Sequence, residues 1–320
     1  MVSTSLYSMA LNNQQQFFET INQAGSVLIC FAPQKRADGL AIDEPAAALA
    51  LGLLMEKMGK KFTIVAENFV FGQRMSFFDG GNKIEPALRN VRQFVVGVDL
   101  KGKKINEFSY DVKDENLLIY LLPDKGEIKK EEVTVTGESY RFGVIIVLGA
   151  SDLESLGTIF MEQKELFFAK PVINIDNDPA NENYGQVNLI DQNAGAISEM
   201  VCELVNSFDF TLITKETATM LLAGIIDQTE SFRKNNLSPQ TLFVASELVS
   251  RGADKEEIVN SLYRTKKMAT LRLWGRALAR LQFERYWGLI WSVVPVGDFI
   301  KAGAEAEEIN GLMEEMISKS

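Results

Sequence analysis

The sequence predicts an α/β protein: a mostly parallel sheet flanked by helices, interrupted by an antiparallel β insertion and followed by a helical connector. Three observations carry this reading. Short unbroken apolar runs at 26–32 (SVLICFA), 61–65 (KFTIV), 142–148 (FGVIIVL) and 171–175 (PVINI) read as strands buried on both faces. Between the first two lies an Ala/Leu-rich helix, 46–58, stopped at Gly59, the strand–helix–strand unit of a parallel sheet. Residues 92–142 change character, with β-type runs at 92–98, 116–122 and 133–135 parted by polar turns at 101–104 and 123–130.

The other elements follow in order. Residues 12–24 read as an amphipathic helix, 33–40 as a loop and 153–163 as helix-like. Helices then dominate at 194–206, 215–227, 239–249, 255–265 and 270–280, punctuated by Asn235, Asn236, Pro239 and Gly252. A strand at 288–294 and a last helix at 304–318 close the chain, with no tandem repeat or low-complexity tract.

Composition narrows the chemistry. At roughly 150 residues per domain, 320 residues suggest two domains. A hydrophobic share of 46% with 24% charged residues is enough for a sizeable core. The net charge of −10 argues against a general nucleic-acid coat. The histidine count is zero, so a Ser–His–Asp triad, a Cys–His pair and histidine-based zinc are excluded. Two distant cysteines, Cys30 and Cys202, form neither a disulfide framework nor a metal cluster. With no signal-like N-terminus and no apolar run of membrane length, a cytoplasmic location is expected. No GxGxxG or GxxxxGK[ST] phosphate loop occurs.

Four segments together resemble the DHH phosphoesterases of the RecJ-like and oligoribonuclease/phosphatase type. They are 38–59 (DGLAIDEPAAALALGLLMEKMG), 147–157 (VLGASDLESLG), 172–185 (VINIDNDPANENYG) and 221–233 (LLAGIIDQTESFR). They occur in the family's order, and the resemblance extends from about residue 26 to 311. It implies a DHH-like domain at 1–235 with the insertion at about 92–142, a connector at 236–285 and a truncated accessory domain at 286–320. It also implies a dinuclear Mn²⁺ site that activates water for phosphoester hydrolysis.

The resemblance places the six metal ligands at Gln34, Asp38, Leu40, Gly149, Asn177 and Gln228, where only Asp38 keeps a ligating side chain. Amides, an aliphatic chain and a glycine do not hold two divalent ions, so the Mn²⁺ site reads as lost. Asp227 beside Gln228 and Asp43 near Leu40 suggest a one-residue slip, but a slip turns a side chain to the other face and restores no histidine. The accessory domain's Gly-Gly-Gly-His segment is also missing from this sequence.

Each remaining feature has a functional and a bland reading. Asp38, Asp152, Asp176, Asp178 and Asp191 form either an oxygen cluster for one Mg²⁺ or Ca²⁺, or loop and helix caps. Arg272, Arg276 and Arg280 share one helix face, extended by 263–267 and Arg285. They form either an anion or nucleic-acid site, with Trp274 for stacking, or an ion-paired surface. Trp287 and Trp291 share a face if 288–294 is a strand, and are then core or interface residues. The edges of the β insertion either offer a surface for another subunit or belong to an ordinary, covered insertion.

The leading expectation is a catalytically degenerate DHH-family homologue acting as a binding or assembly subunit, without cofactor or membrane. A homo-oligomer or a protein partner is expected. The alternatives are an Mg²⁺-dependent phosphoesterase on nucleotides or short oligonucleotides, and a nucleotide sensor that does not cleave.

Overall fold

The computed structural model describes residues 12–36, 39–78, 80–234, 237–263 and 268–309, with Leu312, Met313 and Met316. The chain opens with α1 (Asn13–Gln23), started by a reciprocal capping box between Asn12 and Gln15. Strand β1 (Ser26–Phe31) follows, then a bridge between β2 (Lys35–Arg36) and β3 (Gly39–Leu40) inside the segment expected to be loop. Helix α2 (Asp43–Lys57) begins three residues before its expected start, because Asp43, Glu44 and Pro45 suit a first helical turn. Most of α2 is buried, so its Ala/Leu composition reflects a helix enclosed on all sides. Strands β4 (Lys61–Val65) and β5 (Ile84–Glu85) complete one side of the sheet.

The insertion holds four strands where three were expected: β6 (Arg92–Val98), β7 (Ile105–Lys113), β8 (Asn116–Pro123) and β9 (Val133–Tyr140). Strand β7 escaped notice because charged and apolar residues alternate along it. Residues 89–141 form a compact unit of their own. In it β6 pairs with β9 and β7 with β8, both antiparallel. Between the two ladders, Lys101 and Lys103 pair with the Glu132 carboxylate.

The sheet resumes with β10 (Val144–Leu148). The helix expected at 153–163 is divided: Glu67 accepts from the Thr158 amide and hydroxyl and starts a separate short helix there. The result is a 3₁₀ turn at 154–156, then α3 (Thr158–Met161) and the unforeseen α4 (Lys164–Ala169). Strands β11 (Val172–Asp176) and β12 (Val187–Ile190) follow; β12, only four residues long, was also missed. Helix α5 (Ile197–Asp209) starts three residues late, where Asp43 caps it. Helices α6 (Lys215–Gln228), α7 (Pro239–Ser250), α8 (Lys255–Tyr263) and α9 (Met268–Leu278) match expectation closely. The expected end of α8 falls on residues 264–265, outside the described residues.

The C-terminal segment departs most. Only β14 (Leu289–Trp291) of the expected strand 288–294 is paired, with β13 (Gln282–Glu284). Trp287 therefore lies in the turn, and both Trp287 and Trp291 are exposed rather than core residues. Helix α10 (Val296–Ala302) ends at Gly303, and a 3₁₀ turn at 306–309 replaces the start of the expected helix 304–318. Most of that range beyond 309 lies outside the described residues. Leu273, Trp274, Ala277, Ala302 and Leu312 form a small separate core here.

The main sheet has the order β12–β11–β10–β1–β4–β5, all parallel. From β1 the chain builds outward through β4 to β5; from β10 it builds the other way through β11 to β12. The adjacent strands β1 and β10 thus mark a topological switch point. A crevice is expected beyond their carboxyl ends.

Candidate functional site: the cleft beyond β1 and β10

A cavity of about 580 Å³ lies at that point. Ala32 and Gln34 after β1, Gly149 and Ala150 after β10, and Asp176, Asn177 and Asp178 after β11 line it, with Gln228 from the end of α6. Its volume is that of a small-molecule site. Most of the polar side chains around it are uncharged: Gln34, Ser151, Ser155, Asn177, Gln192, Asn193 and Gln228. Lys234 adds one cation, and Glu44, Asp176 and Asp178 add carboxylates.

Four of the six positions singled out in the sequence therefore meet in one cavity: Gln34, Gly149, Asn177 and Gln228. Asp38 lies outside the described residues. Leu40 packs against the hydrophobic core. Asn177 donates to the Ala194 carbonyl at 2.9 Å, tying the end of β11 to the loop before α5. Gly149 has φ +59°, a left-handed conformation, and a Cβ there would stand 2.9 Å from Glu44 Cγ and 3.3 Å from its Oε1. The space beside position 149 is thus filled by a carboxylate delivered from α2.

Asp176 is buried and its oxygens are engaged by protein donors. Oδ1 accepts from the Asn177 and Asp178 amides at 2.8 and 3.2 Å, and Oδ2 accepts from Asn181 Nδ2 at 2.7 Å. Asn181 also donates to the Ala150 carbonyl at 3.0 Å, as Tyr184 does through its hydroxyl at 2.9 Å. Behind Asp176, Asn174 Nδ2 donates to both Asn181 and Asn188. The 176–188 loop is thereby held on the end of β10 by amide hydrogen bonds. Asp152 accepts from the Ser155 amide and Asp191 from the Asn193 amide, both as turn caps. Among the described residues no group of three or more Asp, Glu, Cys or His is placed to hold a metal ion.

Two residues near the cleft were not singled out in the sequence. Glu44 enters through the first turn of α2. Arg74 comes from the segment 70–78 (VFGQRMSFF), where it is the only charge among aromatic and apolar residues. It is buried, donates to the Leu40 carbonyl at 3.1 Å and pairs with Asp227 at 2.6 Å. A lone arginine in a Phe-rich stretch was the available signal, because such a charge needs a buried partner.

No family model matches the chain. It is 33% identical over 113 residues to the bifunctional oligoribonuclease and PAP phosphatase NrnA of Thermus thermophilus, covering 35% of this chain and 34% of that protein. To the protein of the same name from Bacillus subtilis it is 31% identical over 135 residues, 41% of each. An exopolyphosphatase-related protein from Bacteroides fragilis shares the fold, with a TM-score of 0.67 at 16% identity over 98% of this chain and 78% of that one. The chain is a distant homologue of the DHH-family phosphoesterases. Its match spans well under half the length of the two curated relatives. No helix among the described residues is long and apolar enough to cross a membrane.

In this DHH-family homologue the arginine helix is engaged within its own segment. Arg276 and Arg280 both pair with the buried Asp298. Arg280 also donates to the Val293 carbonyl at 3.2 Å. Arg272 is exposed, and residues 264–267 of the basic stretch lie outside the described residues. Trp274 is buried, with its indole N–H donated to the Glu308 carbonyl at 2.9 Å, so it presents no stacking face. Hydrogen bonding from Arg280, with the charges of Arg276 and Lys301, holds the Asp298 carboxyl below its ordinary range. A lowered carboxyl pKa stabilises the fold above the unfolded value of about 3.9, and that stabilisation is lost as pH falls through the folded value. All three tryptophans lie at 274–291, so their fluorescence reports this segment. Its melting temperature is expected to fall on acidification below about pH 4, and to do so less in Asp298→Asn. Equal acid sensitivity in both would mean that the pair has no part in it.

Proposed function

We propose that this chain is a DHH-fold binding subunit whose cleft holds a nucleotide-sized polar ligand and does not hydrolyse it. The observation that carries this is the donor set of the cavity. Gln34, Asn177 and Gln228 offer neutral amides, Gly149 offers no side chain, and Glu44 occupies the space beside it. Two divalent ions need several anionic or imidazole donors at fixed distances, so these residues do not fit the family's dinuclear Mn²⁺ centre. Asp176, which lines the cavity, already accepts three protein hydrogen bonds.

What the cavity does suit is hydrogen-bonded recognition. Amides and hydroxyls from four strand and helix ends converge on it, and Lys234 supplies a cation for one phosphate. The curated relatives' names give the class to try first, a nucleoside bisphosphate or a short oligoribonucleotide. A cytoplasmic location accords with such a ligand.

The test is titration of PAP and of a short oligoribonucleotide into the full chain by calorimetry, first in EDTA and then in Mn²⁺, with product release assayed in parallel. Saturable binding unchanged by EDTA, with no release, is expected. Lys234→Ala is expected to weaken PAP binding about tenfold, the loss of one charge-assisted hydrogen bond. Metal-dependent phosphate or nucleotide release that co-purifies with the chain would overturn the proposal in favour of an atypical Mg²⁺- or Mn²⁺-dependent phosphoesterase. Absence of binding to either probe would overturn the choice of ligand class.

A further inference from the structure

Helix α6 ends in a run of backbone that L-residues avoid. After Thr229, the residues Glu230, Ser231 and Phe232 stand in succession at φ +52°, +60° and +62°, all left-handed. In that region Cβ crowds the following carbonyl oxygen, so left-handed residues occur as single positions, usually Gly, Asn or Asp. Elsewhere among the described residues they come singly or in pairs. Strain of this kind persists only where the surroundings over-determine it. Here the buried Thr229 accepts from the Phe232 amide at 3.2 Å through its hydroxyl and from the Arg233 amide at 3.1 Å through its carbonyl. Arg233 Nε donates to the Glu230 carbonyl at 2.9 Å. Phe232 packs against the core. At the middle of the run the Ser231 hydroxyl meets the Tyr263 hydroxyl of α8 at 2.5 Å.

The run redirects the chain. Continued as a helix, α6 would carry residue 234 about 9 Å beyond Gln228 along its axis and about 120° away around it. Instead Gln228 and Lys234, on either side of the left-handed run, line the same cavity. We propose that this strained turn is the device that sets Lys234 on the cleft, and that Tyr263 is a positioning residue for it, acting through Ser231. The proposal rests on the reading of Lys234 as the cation that meets a phosphate. It adds how that cation is held there: by a left-handed backbone locked from a second helix.

The full chain is used throughout the test. Thermal unfolding reads the handedness of the turn. Glycine is favoured over alanine where φ is positive and disfavoured in a helix, so Glu230→Gly is expected to melt about 1–2 °C above Glu230→Ala. Trypsin reads the lock, because it cuts after Arg233 and Lys234 only once the turn has opened. Tyr263→Phe deletes one hydroxyl and is expected to speed cleavage at these two bonds about threefold, with other tryptic sites unchanged. Calorimetry with PAP reads the positioning. Tyr263→Phe is expected to weaken binding about threefold in the wild-type background and not at all in Lys234→Ala. A turn that serves packing alone would show no such coupling. The proposal is overturned by a Glu230→Gly chain that melts below Glu230→Ala, or by cleavage of Tyr263→Phe at the wild-type rate. It is also overturned by an unchanged PAP affinity, or by an equal loss with and without Lys234. Failure of the wild type to bind PAP would overturn the cleft reading, whereas the trypsin and melting results decide the lock on their own.

Discussion

Replacing Arg74 by alanine is expected to cost the folded protein about 3–5 kcal/mol, the usual consequence of stranding one member of a buried ion pair. Arg74 and Asp227 keep only 9% and 5% of their side-chain surface in water and meet at 2.6 Å. The second carboxylate oxygen accepts from the Ile42 amide at 3.1 Å, and the guanidinium donates to the Leu40 carbonyl. One pair thus ties the 3₁₀ turn at 73–75, the backbone before α2 and the end of α6. Two of the four family-like motifs lie in these segments. In Arg74→Ala the carboxylate stays buried with its guanidinium gone, beside the equally buried Asp43. Removing both charges is a different experiment. Arg74→Met with Asp227→Leu buries no charge and is expected to recover part of the loss, the remainder being the Ile42 amide left without its acceptor. Urea midpoints followed by far-UV circular dichroism separate the two outcomes. A cost below about 1 kcal/mol for the single substitution, the range of an exposed pair, would mean that water reaches the two charges and that they do not hold these segments together.

The second large effect is expected at Asp43. Helix α5 begins at Ile197 after Ala196, which has no side chain to cap it. The cap comes from the start of α2: Asp43 accepts from the Ile197 amide at 2.7 Å and the Ser198 amide at 2.8 Å. The Ser198 hydroxyl donates back to the Asp43 carbonyl at 3.2 Å. Helix α6 comes so near that a Cβ at Gly224 would stand 2.2 Å from Ser198 Oγ and 3.1 Å from Asp43 Oδ1. Burial pushes the Asp43 carboxyl above its ordinary pKa, while the Ser198 and Ile197 donors pull it back. Asp43→Ala orphans two buried amides at about 1–3 kcal/mol each, so a loss of roughly 3 kcal/mol is expected. Asp43→Asn keeps one acceptor oxygen and is expected to lose about half as much. Equal losses in the two variants would show that packing, not capping, dominates at this position.

Both sites show where sequence reading stops. The parallel strands 26–31, 61–65, 144–148 and 172–176 were legible because a strand covered on both faces has to be apolar throughout. Helices α6 to α9 were legible because their caps, Pro239 and Gly252 among them, are local. The start of α5 was not legible, since its cap comes from 154 residues earlier in the chain. Strand β7 was hidden by its alternating charges, which break the continuous apolar run that marks the sheet strands. The arginine face at 272–280 was correctly placed on one helix, but its partner Asp298 belongs to α10, where the sequence reading placed no element.

The sequence by itself determined the fold class and the kinship with the DHH phosphoesterases, because both depend on local apolar runs and on motifs in a fixed order. It also determined which chemistry is missing, since a chain without histidine has no imidazole to offer anywhere. The tertiary structure alone decided what stands in the cleft. It brought Gln34, Gly149, Asn177 and Gln228 together from four separate segments and turned Glu44 into the space beside Gly149. It also set Arg74 against Asp227 across 153 residues of chain. The physical reason is one of range: backbone conformation is set by neighbours within a few residues, whereas the partner of a buried charge is set by the packing of elements distant in sequence.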